Sequence, residues 1–468
     1  MGYWGIEMRK YSRELDCFFY PEHIAIIGAS SEERSIGKQL FTNFMGTKLS
    51  KKTYPVNPFH KNVLGKKAYV SVKDIPYDID LAIIAIPAKH VPNALQDCSD
   101  KGVKGVIIIS SGFKEAGNED LTEKMKKIIR ENKTMRVVGP NCFGVLMPEI
   151  GLNTTFSVKE KSHLPKHGNL SFFSQSGALG VAILDWASTQ NFGIHKFMSY
   201  GNAIDVDETD ILDHMGHDKG SKVVTAYIEE VKRGRKFMET AKKVSKRKPF
   251  VVLKGGSQKA THHAISSHTG SLAGDMKVYE AVFKQTGIVH AKNMRELFSF
   301  AKILENEPIA NGNRTAIITN GGGYGIVTAD EFTKNNLTLA KLSSGSIKKL
   351  KQILPPAAGF GNPIDMLGGA GEKEYAFATK TALNDKNVDM IAVLVLFNTP
   401  TVDQKTVKEL IKIKKTAKKP LVVLTFGSGY TQHRKDEFEK GRIITYDYPD
   451  IAARSLEALA KYSAFVKR

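Results

Sequence analysis

The sequence predicts an α/β protein of three doubly wound domains with mostly parallel sheets. Two observations carry that expectation. One local pattern, an apolar strand followed by a loop of small residues and a helical run, occurs three times. Between the copies, short continuous apolar runs alternate with helical segments, as parallel sheets require.

The first copy is Ile24-Ala25-Ile26-Ile27-Gly28-Ala29-Ser30, continuing to Gly37. The second is Leu170-Ser171-Phe172-Phe173-Ser174-Gln175-Ser176-Gly177-Ala178-Leu179-Gly180. The third is Thr315-Ala316-Ile317-Ile318-Thr319-Asn320-Gly321-Gly322-Gly323-Tyr324-Gly325. Each opens a doubly wound domain with a ligand crevice at the carboxyl end of its strand. Further strands are expected over 81–87, 105–110 and 135–138, then 223–228 and 249–254, then 390–397 and 420–426. Their unbroken apolar character suits strands covered on both faces. The domains are expected at 1–148, 149–295 and 296–468. The breaks fall near 147–164 and 285–313, the latter holding Glu307-Pro308 and the turn-like Asn311-Gly312-Asn313.

Bulk composition agrees. The chain has 468 residues, 41% hydrophobic and 25% charged, a size for about three domains with cores of their own. Lys and Arg number 68 against 48 Asp and Glu, a formal charge of +20. The lysines are scattered over many helices and no aromatic residues interleave with them as a stacking platform needs. They read as a solvated surface, with no nucleic-acid or membrane partner. The three cysteines, Cys17, Cys98 and Cys142, are too few and too widely spaced for a disulfide framework or a zinc site. No signal peptide is apparent and the apolar runs are too short to span a bilayer. A cytoplasmic protein is expected.

Three loops carry candidate chemistry. The stretch Ser266-Ser267-His268-Thr269-Gly270-Ser271-Leu272-Ala273-Gly274 sets a histidine among small, hydroxylated and flexible residues. That suits a histidine which a phosphoryl group must reach and leave with. Imidazole is substantially neutral near pH 7, so its free nitrogen attacks without a strong base. His262 and His263 read as ordinary residues. Ser174-Gln175-Ser176-Gly177 ends a strand and opens a helix, presenting free amides and two hydroxyls to an anion. Its plain alternative is an N-cap serine. The loop after Gly28 also opens a helix, and Arg34, Lys38 and Lys61 are at hand for phosphates. It is not a dinucleotide fingerprint, because the next glycine is Gly37. A nicotinamide-dependent oxidoreductase is therefore the weaker expectation. Cys142 has no evident base and reads as a small buried or lining residue.

The motifs Ile26-Ile27-Gly28-Ala29-Ser30, Tyr54-Pro55-Val56-Asn57-Pro58, Ile86-Pro87-Ala88, Ser110-Ser111-Gly112-Phe113 and Gly139-Pro140-Asn141-Cys142-Phe143-Gly144, in this order, resemble the CoA-binding domain of ADP-forming acyl-CoA synthetases, relatives of succinyl-CoA synthetase. The string from Ser266 to Gly274 resembles the phosphohistidine loop of the acetate-type branch. The resemblance spans nearly the whole chain. It implies a Rossmann-like CoA-binding domain followed by two flavodoxin-like domains. It implies coenzyme A held by Gly28, Ser30, Ser31, Arg34, Gly37, Lys61, Pro87 and Asn141, and phosphate held by Ser174, Gln175, Ser176 and Gly177. It makes His268 the phosphoryl carrier and Glu229, with Glu230 as fallback, the carboxylate that fixes its tautomer. The third domain, with Asn320-Gly321-Gly322-Gly323 and Gly361-Asn362-Pro363-Ile364-Asp365, is implied to serve a subunit interface; a tight structural turn is the alternative. No region reads as an ATP-grasp domain. The implied protein is the alpha part of a ligase that joins a short-chain carboxylate to CoA through acyl phosphate and phosphohistidine. It needs an ATP-grasp beta partner, in a heterotetramer or dimer, which would bind most of the Mg-ATP or Mg-ADP. No all-protein metal cage is expected in this chain. A CoA-binding regulatory protein of the same fold is the alternative.

Overall fold

The structure is a computed structural model and describes residues 14–158, 162–190, 192–256 and 275–468. Its first sheet is built from β1 (Ile24–Ile27), β2 (Thr53–Val56), β5 (Leu81–Ile84), β6 (Gly105–Ile108) and β7 (Arg136–Val138), with β3 (Asn62–Val63) and β4 (Lys66–Lys67) forming a small separate hairpin. All its pairings are parallel. The order β2-β1-β5-β6-β7 is a doubly wound arrangement whose direction reverses between β1 and β5. Every residue of β1, β5 and β6 is buried, which explains their continuous apolar composition.

The second sheet contains β8 (Gly144–Met147), β9 (Leu152–Asn153), β10 (His167–Ser174), β11 (Ile194–Ser199), β12 (Val223–Ile228), β13 (Phe250–Lys254) and β14 (Val289–Ala291), in the order β14-β13-β12-β10-β11-β8-β9. The pairings among β10 to β13 are parallel, and β8 and β9 add an antiparallel edge. The third holds β15 (Arg314–Thr319), β16 (Thr338–Leu339), β17 (Ile364–Asp365), β18 (Met390–Leu394), β19 (Leu421–Leu424) and β20 (Ile444–Tyr446). Its order is β16-β15-β18-β19-β20, all parallel, with β17 beside β15. The same winding therefore recurs, with reversals between β1 and β5, β10 and β12, and β15 and β18.

The chain divides into two compact units, Met1–His290 and Ala291–Arg468. The first contains the first sheet and, but for the last residue of β14, the second. β8 precedes residue 148 yet pairs with β11 through Leu146 and Phe197, so the stretch leaving the first sheet is already an edge of the second. Residues 202–206 return along 137–140. Asn202, Ile204 and Val206 donate backbone N–H groups to Pro140, Gly139 and Val137, at 3.0, 3.1 and 3.1 Å. Arg136 reaches Asp205, Asp210 and Glu14, at 3.0, 3.1 and 3.0 Å. Breaking such a largely buried network costs more than a surface ion pair, because the remaining charges stay desolvated.

In the second unit Glu307 is buried, ion-paired with Lys414, and accepts the Leu421 N–H at 2.9 Å. Among the described residues no helix is long and apolar enough to cross a membrane.

Candidate active site at the sheet switch points

At the first reversal, β1 turns sharply at Gly28, whose φ is +95°. A side chain there would meet the Ala85 carbonyl oxygen at 2.4 Å. Gly37, in the first turn of the helix Ile36–Phe44, leaves still less room, since an added Cβ would stand 1.8 Å from the Gly28 oxygen. These glycines let the helix start close against the strand end. Beside them lies a cavity of about 320 Å³, lined by Gly28, Asn57, Phe59, Val70, Pro87 and Ala94 among others. It is a size suited to part of a small-molecule ligand. Phe59 and Val70 are 88% and 67% exposed, so a flat apolar ligand would find them open. Gly37→Ala is expected to destabilise the first unit by about 3 kcal/mol through this backbone clash. A denaturation midpoint equal to that of the unaltered chain would contradict the reading.

From Pro87 a chain of backbone contacts runs toward the second sheet. Ser110 Oγ donates to the Ile86 carbonyl at 2.6 Å and accepts from its N–H at 3.1 Å. The Ser110 carbonyl accepts the Asn141 N–H at 2.9 Å. Asn141 is left-handed, with φ 57°, after the cis Gly139–Pro140 bond. Gly201 must be glycine to pass it, because a Cβ would fall 2.3 Å from the Asn141 oxygen. Asn202 donates to Glu115 Oε2 at 2.6 Å, and Ser199 Oγ accepts the Phe143 N–H at 3.0 Å. A Cβ on Gly177 would lie 3.5 Å from Phe143 and 3.8 Å from Ser199 Oγ. The Asn141 loop and the Ser174–Gly177 loop are therefore neighbours.

The second reversal lies between β10 and β12. Ser174 Oγ donates back to the Ser176 carbonyl at 2.6 Å. Ser176 caps the helix Gly177–Thr189 and accepts the Leu179 N–H at 3.3 Å. The helix start is open to an oxyanion, as such ends are. Gln175 points elsewhere. Its Oε1 accepts the N–H groups of Glu229 and Glu230 at 2.9 and 3.1 Å, and the Tyr200 hydroxyl at 3.3 Å. It braces the end of β12 against the Ser174–Gly177 loop.

Glu229 is only 4% exposed, just past β12, and receives a hydrogen bond from Tyr227. Burial and that carboxylate push the Tyr227 hydroxyl well above its ordinary range. Gly255 fits beneath them, since a Cβ would come 2.4 Å from the Tyr227 hydroxyl. Lys254, paired with Ile228 in the sheet register, is 4% exposed. Its Nζ donates to the Gly255 carbonyl at 2.5 Å and lies 4.7 Å from the Tyr279 ring centre. Burial lowers this ammonium to about 8, against the opposing pull of Glu229 and Glu230. Glu208, 1% exposed, accepts the Lys232 N–H at 3.0 Å. Burial and then Asp207 raise its carboxyl to about 7.

The Lys254 ammonium burdens the folded state below pH 8, and the burden is relieved as pH rises from 8 toward its ordinary 10.5. Lys254→Met is therefore expected to be more stable than the unaltered chain at pH 7, by a margin that shrinks toward about pH 9.5. Denaturant midpoints at the two pH values read this directly. A margin that grows with pH contradicts it.

His268, with His262, His263 and all of 266–274, lies outside the described residues. Lys254 ends β13, the strand that precedes that segment, and Glu229 follows β12, which pairs with β13. Gly28 and Pro87 line one cavity. Ser30 Oγ accepts the Glu32 N–H, and Ser31 Oγ accepts the Leu64 N–H from the hairpin that follows Lys61, at 2.9 and 3.2 Å. Arg34 is left-handed and exposed, Lys61 is exposed, and Lys38 is ion-paired with Glu33. Cys142 is buried and its thiol is pushed up to about 12 by burial, so it is no nucleophile. In the second unit Asn320 bridges to Leu396 and Thr399, while side chains at Gly321 or Gly322 would strike Leu396 or Asp365, each at 2.5 Å. That is the geometry of a crowded strand-to-helix turn. Tyr227, Lys254, Asn202 and Glu208 were not singled out from sequence. The lone signal was a lysine ending the apolar run Val251-Val252-Leu253-Lys254.

Two of the three α/β switch points lie in one unit, where the Asn141 loop meets the Ser174–Gly177 loop. Residues 22–148 match the CoA binding domain family, 167–304 the succinyl-CoA ligase like flavodoxin domain, and 315–463 the ligase-CoA domain. The chain is 41% identical to the alpha subunit of acetate–CoA ligase [ADP-forming] II of Pyrococcus furiosus, over 96% of this chain and 97% of that one. It is 38% identical to acetate–CoA ligase [ADP-forming] of Methanocaldococcus jannaschii over 98% of its own length, but spans only 64% of that longer relative. The fold matches a dinucleotide forming acetyl-coenzyme A synthetase 1 of Ca. Korarchaeum cryptofilum, solved with phosphate and ADP. The TM-score is 0.89 at 37% identity, covering 97% and 98% of the two chains. This chain belongs to the family of ADP-forming acetate–CoA ligase alpha subunits.

Proposed function

We propose that this chain is the CoA- and phosphate-handling part of an ADP-forming acid–thiol ligase acting on a short-chain carboxylate. The observation that carries the reading is the adjacency of the Asn141 loop to the Ser174–Gly177 loop, with Glu229 and Lys254 at the neighbouring strand ends. A thioester delivered along Pro87 and Asn141 would meet phosphate seated on the helix start at Gly177. A phosphate oxygen attacks the thioester carbonyl, the C–O bond forms, and the C–S bond breaks to release CoA. His268 then attacks phosphorus through its free nitrogen. The P–N bond forms, the P–O bond to the acyl group breaks, and the carboxylate leaves. Glu229 accepts the other ring N–H, which fixes the tautomer and stabilises the cation. Oxyanions developing in both steps face helix amides, which lower such barriers without reorganising.

The phosphoryl group passes to ADP on an ATP-grasp partner, which also holds the magnesium. The length relation supports this division, since the longer relative carries residues beyond those this chain matches. The steps are reversible, so carboxylate, ATP and CoA give acyl-CoA, ADP and phosphate. The test is reconstitution with an ATP-grasp beta subunit. The pair is expected to form acetyl-CoA and ADP from acetate, ATP and CoA, and this chain alone to bind CoA but not NAD. Tight NAD binding without CoA binding would overturn the reading.

A further inference from the structure

The amino-terminal edge of the second sheet carries a side-chain cluster that the ligase reaction does not use. Glu149, His167 and His195 bring one ligand atom each within 4.8 Å of one another. His195, in β11, is 4% exposed. Its Nε2 lies 3.2 and 3.3 Å from the two Asp218 carboxylate oxygens. Asp218 is itself held by the Gly220 N–H at 2.7 Å. Gly220 backs the ring so closely that a Cβ there would fall 2.4 Å from it. The carboxylate takes the Nε2 hydrogen, so the lone pair resides on Nδ1. That buried Nδ1 has no hydrogen-bond partner among the described residues. A buried, orphaned acceptor on a clamped ring is costly unless something binds it.

The carboxylate–histidine pairing is the arrangement that orients metal-bound imidazoles and strengthens them as donors. His167 opens β10, its ring 5.7 Å from that of His195 and nearly perpendicular, while Glu149 lies in the turn Pro148–Ile150. Both are exposed, so they can close the gap to bond lengths of about 2.0–2.2 Å. Lys196 is ion-paired with Asp218 and lies over the Phe19 and Tyr20 rings, 4.7 Å from each centre.

We propose that Glu149, His167 and His195 form a site for a zinc-type divalent transition metal, oriented by Asp218 and completed by water. Two imidazoles and one carboxylate suit zinc and its neighbours rather than magnesium or calcium, which prefer oxygen. The site lies at the end of β10 opposite Ser174, seven residues or about 23 Å of strand away. Its metal therefore pins the Pro148–Ile150 turn to the starts of β10 and β11, and takes no part in acyl or phosphoryl transfer.

The test titrates the metal-stripped full chain with Zn²⁺ and, separately, Mg²⁺ in a calorimeter. The expected result is one Zn²⁺ per chain at micromolar affinity or tighter, with no comparable Mg²⁺ binding. His167→Gln and Glu149→Gln, both at exposed positions, should each weaken Zn²⁺ by at least about tenfold while far-UV circular dichroism and CoA binding stay unchanged. Co²⁺ should give a visible d–d band that His167→Gln removes. Absent stoichiometric Zn²⁺, retained affinity in either variant, or equal Mg²⁺ binding overturns the proposal.

Discussion

With alanine at His268, the acid-labile, base-stable phosphoryl label donated by γ-labelled ATP in the presence of the ATP-grasp partner is expected to vanish. Turnover should fall by on the order of 10⁶, the scale of losing a covalent nucleophile. The lability pattern is diagnostic because a phosphoramidate breaks in acid, whereas a phosphoserine from the surrounding hydroxyls would survive acid and fail in base. CoA binding should be untouched, since the cavity beside Gly28 and Pro87 belongs to the first sheet. Equal label in the variant would move the carrier to another residue, with His262 and His263 next in line, and would remove His268 from the mechanism.

Glu229→Gln is expected to slow phosphorylation by about 100-fold, within the range for lost general acid–base or orienting groups. The amide keeps the shape of the acid. Gln175 holds the backbone at 229 through the N–H at 2.9 Å, and Tyr227 keeps a hydrogen-bond partner. The fold should therefore survive and CoA affinity should hold. What is lost is the negative charge that a histidine needs when its ring becomes cationic in transfer. Unchanged turnover in this variant would take Glu229 out of the reaction and turn attention to Glu230.

The architecture was legible because it is written in local patterns. Ile24–Ile27, Leu81–Ile84 and Met390–Leu394 are runs too apolar to face water on either side, and the first runs straight into Gly28-Ala29-Ser30. Two strands of the second sheet were harder to read. Ile194–Ser199 contains His195 and Lys196, whose polarity masks a strand that the structure buries completely. Gly144–Met147 reads as the tail of the first domain, yet its partner is Phe197 of the second sheet. Strand pairing is decided by packing between distant segments, and no local period encodes it.

The site divides in the same way. Gly28 and Ser176 stood out because each lies where a strand runs into a helix, at the crevice of a parallel sheet, and Glu229 through the family resemblance. Gln175 was expected among the phosphate ligands, but its side-chain oxygen accepts hydrogen bonds from Glu229, Glu230 and Tyr200. Nothing in the string Ser174-Gln175-Ser176-Gly177 distinguishes a brace from a ligand. Lys254 was visible as a charge but not as a buried one. Glu149, His167 and His195 have no ligand spacing at all, and only the register of β10 and β11 and the antiparallel edge bring them together.

By itself the sequence determined the three-fold α/β plan, the glycine turns, and the family resemblance with its histidine loop. Those depend on residue identity and short-range periodicity, which a linear string preserves. The tertiary structure alone decided that the Asn141 loop abuts the Ser174–Gly177 loop, that Tyr227 and Lys254 flank Glu229, and that two histidines and a glutamate converge at the far edge. These depend on which strands lie side by side, and that is set by long-range packing of buried apolar faces rather than by any one segment.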